Sequence, residues 1–471
     1  MFNPPHPAAL TNPRTMRKRN LLVLAAAFGL AGVANAQSTA TTTQTGSGND
    51  VAVTQQGGAT ATVTQGQSGS PADFNEAVVS QAGANTAVVD QFGSTNDAQI
   101  MQGVRPDGSD LGTATGNTAK VTQTGSDNSG LLDGADDDGS VIAQGVNGTA
   151  TGAEAYATQS GTNGRVQIYQ GNNGGTATGV IGTIEQAGDG NTASVRQGVM
   201  EGKAEDSEAT ITQEASVSGS SAFIRQGADG AGSLSTIAYG DASRFDEAEI
   251  VQRGGNGNEA YINQGVGGFQ SYGSDAYVVQ EGSLNVTTVN QGSNESRTTL
   301  RSIGTGNVVT VEQNVDAVDA SVADGGPNQA DALIQGNGNQ FYAAQDGARN
   351  GIRFDQLGGL KGDGNIVNLT QAGTDHGIRG DIDGDNNTVD IAQSGTDNDV
   401  LVSEQLHSGP AGLMVSGNGN DIDVIQSGSL NTAMISVMND GNTVDITQSG
   451  TGDVATATVD GTTNTAVIVQ N

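Results

Sequence analysis

Read in steps of eleven from Asn365, the end of the chain returns the same kind of residue almost every time: His376, Asn387, Asn398, Gly409, Asn420, Asn431, Asn442, Asp453 and Asn464. Two and four positions after these slots stand small or aliphatic residues, such as Val367 and Leu369, Ile422 and Val424, Val444 and Ile446. Six positions after, the residue is often Gln: Gln371, Gln393, Gln426, Gln448 and Gln470. The unit is N-x-[AV]-x-[VI]-x-Q followed by a Gly-rich turn. A period this short marks a repeat architecture and precludes reading the chain as independent globular segments.

Alternation of Asn, Ala/Val, Val/Ile and Gln with Thr, Asp and Ser has period 2, the pattern of a half-buried β-strand. One strand and one turn reverse the chain, and two units bring it back after about 22 residues, each strand lying about 4.8 Å from its counterpart one coil on. The fold expected is all-β: an amyloid-like β-solenoid of strand-turn-strand coils with two parallel sheets. The pattern leaves its hand open. In-register stacking sets Asn on Asn and Gln on Gln, and buried amides are tolerated there because each side chain can bond the next. The expected ladder comprises Ser274, Gln280, Asn285, Gln291, Asn307, Gln313, Asn365, Gln371, Asn387, Gln393, Asn420, Gln426, Asn442, Gln448, Asn464 and Gln470.

Composition agrees. With 72 Gly, 3% aromatic residues and no Trp in 471 residues, the chain cannot fill a thick core. A thin solenoid lined by Ala, Val and Ile does not need one. At the start, Arg17, Lys18 and Arg19 precede an apolar run over 21–33, and Ala34 and Ala36 flank a small-residue cleavage site, the layout of an export signal over 1–36. Met16 offers a second, more ordinary start for it. Residues 37–471 then form a single repeat array, with no second long apolar run to span a membrane. Zero Cys excludes thiolate metal sites and a Cys nucleophile. Removing Arg14, Arg17, Lys18 and Arg19 leaves 14 basic against 51 acidic residues, which disfavours nucleic acid and anionic lipid as partners.

Segments 66–73, 103–115, 126–137, 199–206, 228–245, 266–273 and 357–364 break the step and read as loops at coil corners. Two-unit coils are expected over three-unit ones. Strict alternation gives one sheet Gln371, Gln393, Val415, Val437 and Val459, and the other Ile382, Glu404, Gln426, Gln448 and Gln470. On that count the Gln ladder changes sheets between Glu404 and Val415, beside Gly409 and Pro410.

Ser274, Gln280, Gly282, Asn285, Val289 and Gln291 fall at the spacing S-x5-Q-x-G-x-x-N-x-A-x-V-x-Q, with Thr287 in the Ala slot. Asn191, Ala193, Val195 and Gln197 repeat its second half, as do Asn117, Ala119, Val121 and Gln123. This resembles the curlin repeat. The resemblance implies a curli-like functional amyloid: a secreted subunit of a Gram-negative bacterium that polymerises at the cell surface for biofilm matrix and adhesion. The partners it implies are further copies, other curli-type subunits and an outer-membrane secretion machinery. The ladder residues above are then the self-assembly determinants. The outward acids Asp390, Asp421, Asp423 and Asp445 fit gatekeepers that slow polymerisation.

No catalytic constellation stands out, and the chain reads as a non-enzyme with no cofactor. Beyond the signal the His residues are His376, in an Asn slot, and His407, in a turn. The alternative function is a monomeric solenoid adhesin or surface protein that binds glycan or calcium, the latter on Asp-rich turns such as Asp381, Asp383 and Asp385 or Asp363.

Overall fold

The computed structural model describes residues 37–471 apart from 68–71, 107, 109–111, 131–141, 201, 228–241, 245, 266–269, 293–294, 314–327, 355–358 and 401–412. The expected signal segment, Met1–Ala36, lies outside the described residues. Every regular element among those described is a strand. An 18-stranded sheet (sheet I) runs from Thr39–Gln44 to Val454–Asp460, and a 17-stranded sheet (sheet II) from Asp50–Gln56 to Thr465–Gln470. The chain passes from one to the other and pairs each strand, parallel and in register, with its counterpart one coil on. Thr443 thus lies on Thr465, Ile446 on Ile468 and Gln448 on Gln470. The protein is a β-solenoid.

The inward residues of both sheets meet in one continuous core that includes Ala61, Val63, Ile211, Ile224, Val367, Leu369, Val444 and Ile446. Strand Thr443–Thr451 shows why: it buries Val444, Ile446 and Gln448 and leaves Thr443, Asp445 and Thr447 partly open. A slip of one residue would exchange those faces, so burial fixes the register.

Coils near the C-terminus span 22 residues, as between Gln448 and Gln470. Others are longer: 27 between Gln186 and Gln213, 39 between Gln213 and Gln252. The extra length has two forms. From 113 to 272 the coils carry a third strand, making a six-stranded parallel sheet (sheet III) of Thr113–Thr115, Thr149–Thr151, Thr176–Thr178, Lys203–Glu205, Ala242–Arg244 and Gln270–Tyr272. Four of these lie inside segments expected to be plain loops, 103–115, 199–206, 228–245 and 266–273. A three-residue strand is too short to show a period, and flanking Gly disguises it as a turn. Its inward Ala residues seal a satellite core of Ala150, Ala153, Ala177, Val180 and Ala204.

The second form corrects the expected exchange of ladders between sheets. Gln371, Gln393, Gln426, Gln448 and Gln470 all stand on sheet II, and Ile382, Val415, Val437 and Val459 all on sheet I. The coil from Gln393 to Gln426 has 33 residues, one unit more than its neighbours. The added unit falls between Asp399–Val400 and Leu413–Ser416, which share one level of sheet I. It holds Glu404, Gly409 and Pro410, outside the described residues. Counting in elevens gave it a level of its own and so inverted the phase.

One backbone feature recurs at the corners. The residue just before the Asn slot takes a left-handed conformation: Gly306, Gly364, Asn386, Gly419 and Gly441 have φ of 69°, 68°, 57°, 63° and 68°. The same position holds Leu284 and Leu430, with φ of 57° and 59°, both more than half exposed. A left-handed Leu costs roughly 1–2 kcal/mol, whereas Asn adopts this region readily. Leu430→Asn is therefore expected to stabilise the chain by about 1 kcal/mol, seen as a higher urea midpoint. A lower midpoint would mean that Leu430 makes packing contacts that outweigh the strain.

Candidate functional site, a stacked amide ladder

The Gln slot closes each strand, where the side chain points inward beneath the corner. On sheet II every Nε2 donates to the Oε1 of the Gln one coil on, in one unbroken direction. The C-terminal links are Gln345 to Gln371 at 3.0 Å, then Gln393 at 3.0 Å, Gln426 at 2.8 Å, Gln448 at 2.9 Å and Gln470 at 2.9 Å. Gln291 and Gln313 stand lower in the same column, 3.0 Å apart. The ladder starts at Gln55, which donates to Gln81 at 2.9 Å. Each Nε2 also reaches main-chain oxygens of sheet I, as Gln291 does at Asp275 O and Ser296 O, 3.2 and 3.3 Å away. One amide thus ties successive coils together and one sheet to the other, meeting its donor and acceptor needs in a buried place.

The Asn slot works differently from the side-chain ladder expected. Asn is shorter and opens the strand, so it bonds mainly to main chain. The Oδ1 of Asn285 accepts the Asn307 N–H at 3.1 Å, and its Nδ2 donates to Gly304 O at 3.0 Å. The same pair of bonds recurs at Asn307, Asn365, Asn387 and Asn442. Asn420 accepts the Asn442 N–H in the same way. The side-chain to side-chain contacts are the longer ones, for example 3.2 Å from Asn442 to Asn420. Asn464, in the last coil, bonds Asp460 O instead.

The structure therefore brings fourteen of the sixteen expected ladder residues, Asn285 through Gln470, into two adjoining columns of sheet II. Ser274 and Gln280 stand on sheet I. Ser274 Oγ accepts the Ser296 N–H at 3.2 Å, and Gln280 Nε2 donates to Glu259 O, Asn285 O and Thr287 Oγ1. Sheet I carries its own Gln column from Gln44 through Gln252 to Gln280. It stops there: the next levels hold Ser302, Ile334, Leu360, Ile382, Val415, Val437 and Val459. The buried Ser302 hydroxyl at this boundary makes no hydrogen bond.

His376 fills an Asn slot of sheet I and is 2% exposed. His407 lies outside the described residues. The Asp-rich turns are also structural: Asp385 Oδ1 accepts the Asp363 N–H at 2.8 Å, and Asn418 Oδ1 the Asp385 N–H at 2.7 Å. Among the described residues no group of three His, Cys, Asp or Glu is placed to hold a metal ion. No helix there is long and apolar enough to cross a membrane.

On the outer face of sheet II, Asp390, Asp423 and Asp445 stack in register on successive coils. Asn368 Nδ2 donates to Asp390 Oδ1 at 2.6 Å. Partial burial, and then Asp445, Asp390 and Asp421, push the Asp423 carboxyl above its ordinary range. No Lys or Arg follows Arg379 to offset this column. Comparison of the chain with family models and with curated proteins returns no match.

Two tests follow from these contacts. Gln426→Leu leaves the Gln393 donor and the Gln448 neighbour unanswered, and Val437→Gln inserts an amide between Val415 and Val459. Each is expected to lower stability by about 1–3 kcal/mol in denaturant unfolding; unchanged midpoints would deny the ladder an energetic role. Because the Asp423 pKa is raised on folding, its ionisation opposes the fold. Stability from this group is full below the unfolded-state pKa and is lost as pH rises through the folded one. Asp423→Asn should therefore raise the melting temperature at pH 7 and shrink the gain that wild type shows on acidification toward about pH 4.

Proposed function

We propose that the chain is an exported structural protein that polymerises coil on coil into curli-like amyloid fibres of a Gram-negative cell surface, serving matrix and adhesion. The observation that carries this reading is the state of the two outermost coils. Strand Thr39–Gln44 is exposed along its whole length, and Thr465–Gln470 is half exposed, with Val467 and Val469 each 60% accessible. Such edges present unpaired N–H and C=O groups to an incoming strand. The four strands of these coils carry only Asp50 and Asp460 as charged residues. Inner levels carry acidic stacks such as Asp390, Asp423 and Asp445.

The two ends also match in register. Laying Thr465–Gln470 of one copy on Asp50–Gln56 of the next sets Gln470 beside Gln55 and Asn464 beside Asn49. Gln448 and Gln470 already show the bond that Gln470 would then make. The curlin-like spacing from Ser274 to Gln291 supports the same reading from the sequence. Backbone templating at an open edge, with the amide ladders carried across the junction, is the mechanism.

Purified residues 37–471 should form fibres after a concentration-dependent lag, give a cross-β reflection near 4.8 Å and be shortened in lag by preformed seeds. Val467→Asp together with Val469→Asp should abolish elongation while leaving the monomer's fold intact by circular dichroism. A chain that remains monomeric at high concentration with seeds present would refute the proposal.

A further inference from the structure

Among the described residues, His376 is a titratable ladder side chain whose bonds need a particular protonation state. His376 occupies the slot filled by Asn350 one coil before and Asn398 one coil after. Its own N–H donates to Asn350 Oδ1 at 3.2 Å. The Asn398 N–H points at His376 Nδ1, 3.3 Å away, and the other ring nitrogen, Nε2, lies 3.1 Å from Ala372 O. A main-chain N–H can only donate and a carbonyl can only accept. Nδ1 must therefore be the bare nitrogen and Nε2 must carry the proton: the neutral ring is the form that satisfies both neighbours.

We infer that His376 makes its level of the solenoid acid-sensitive: the neutral imidazole substitutes for the ladder amide, and the imidazolium, which has no acceptor, cannot. Protonation at Nδ1 sets two N–H groups against each other in a site that is 2% exposed. The Asn-slot side chains that cap the next N–H in this part of sheet I, Asn328, Asn350, Asn398 and Asn431, each use an amide oxygen that does not titrate.

Of the charged groups around the site, Asp375 attracts a charged His376 but does not replace the lost acceptor at Nδ1. Asp375 is next in sequence, but both its carboxylate oxygens are engaged by the Arg349 guanidinium. Asp397 sits one coil on from Asp375. Arg379, Asp381 and Asp383 lie on the strand that His376 opens, Gly377–Asp383; Arg353 lies on the strand before it and Asp399 on the strand after. Asp423 on sheet II favours the fold on acidification, so the two groups act in opposite senses on one end of the protein. A proton on His376 Nδ1 then loosens the coils around Asn398, whereas a proton on Asp423 relieves the acidic face.

Backbone hydrogen exchange on the full chain, compared as protection factors at about pH 8 and pH 5.5, tests this without reference to fibre formation. In wild type, protection at Asn398 and the adjoining strands should fall about tenfold on acidification, the scale of one buried hydrogen bond turned repulsive. His376→Asn should keep its protection, and His407→Asn should follow wild type. An equal loss in His376→Asn, or no loss in wild type, overturns the inference. Ring-nitrogen NMR of wild type supplies a second check should the variant fold poorly. At neutral pH the His376 ring must be protonated at Nε2; a proton on Nδ1 would overturn the inference equally.

Discussion

Everything in this protein depends on the condition that a buried side chain must be answered by its own kind one coil away. Parallel in-register stacking places each residue about 4.8 Å from its equivalent, closer than any other side chain of comparable type. A Gln buried between two Gln residues gives one bond, takes one, and has an N–H left for the facing sheet. A Gln buried between two Val residues would have neither ladder bond and would carry the full desolvation cost of its amide. Column identity is thus enforced by neighbours rather than by the local backbone. The one-way sense of the donors also aligns the amide dipoles from Gln55 to Gln470, so each bond polarises the next.

The same condition explains which departures from regularity are harmless. Length added at a corner does not disturb a column if the chain rejoins the same slots, and closing a longer loop costs only a few tenths of a kcal/mol more for modest insertions. Coils of 22, 27, 33 and 39 residues accordingly carry the same Gln-to-Gln bond. Sheet III is the intermediate case. There the added length is regular enough to pair with itself, and Ala114, Ala150, Ala177 and Ala204 turn inward from its strands.

The sequence reveals the strand pattern, the parallel stack and the ladder residues because a buried column is a periodic demand on residue type. It conceals what is satisfied by backbone. The left-handed corner before most Asn slots is met by Gly, Asn or Asp or, with strain, by Phe74, Thr95, Leu284, Arg349, Leu430 and Thr463, so no single letter marks it. The bonds of Asn285 to Gly304 O and from the Asn307 N–H leave no trace beyond the Asn itself. The sequence also conceals the phase beyond Asn398 for a related reason: an added unit of one period is invisible to a count made in that period. Following residue type instead of position would have kept Gln393 and Gln426 in one column.

The change on sheet I shows how such a column can alter at all. From Gln44 to Gln280 the slot is an amide; from Ile334 to Val459 it is aliphatic, and either block is self-consistent because each member sees its own kind. The mismatch is confined to the level between them. Ser302 stands there, small enough to leave Gln280 room to turn its donor to Thr287 Oγ1 and Asn285 O, at the expense of its own unanswered hydroxyl. A column therefore behaves as a one-dimensional array with a boundary cost, as expected when each coil contacts only its neighbours. An isolated exchange within a block creates two such boundaries, whereas a block of any length needs one. That is why the exceptions on sheet I come as a single long run, and why sheet II, which has no boundary, holds an unbroken amide ladder up to its exposed last strand.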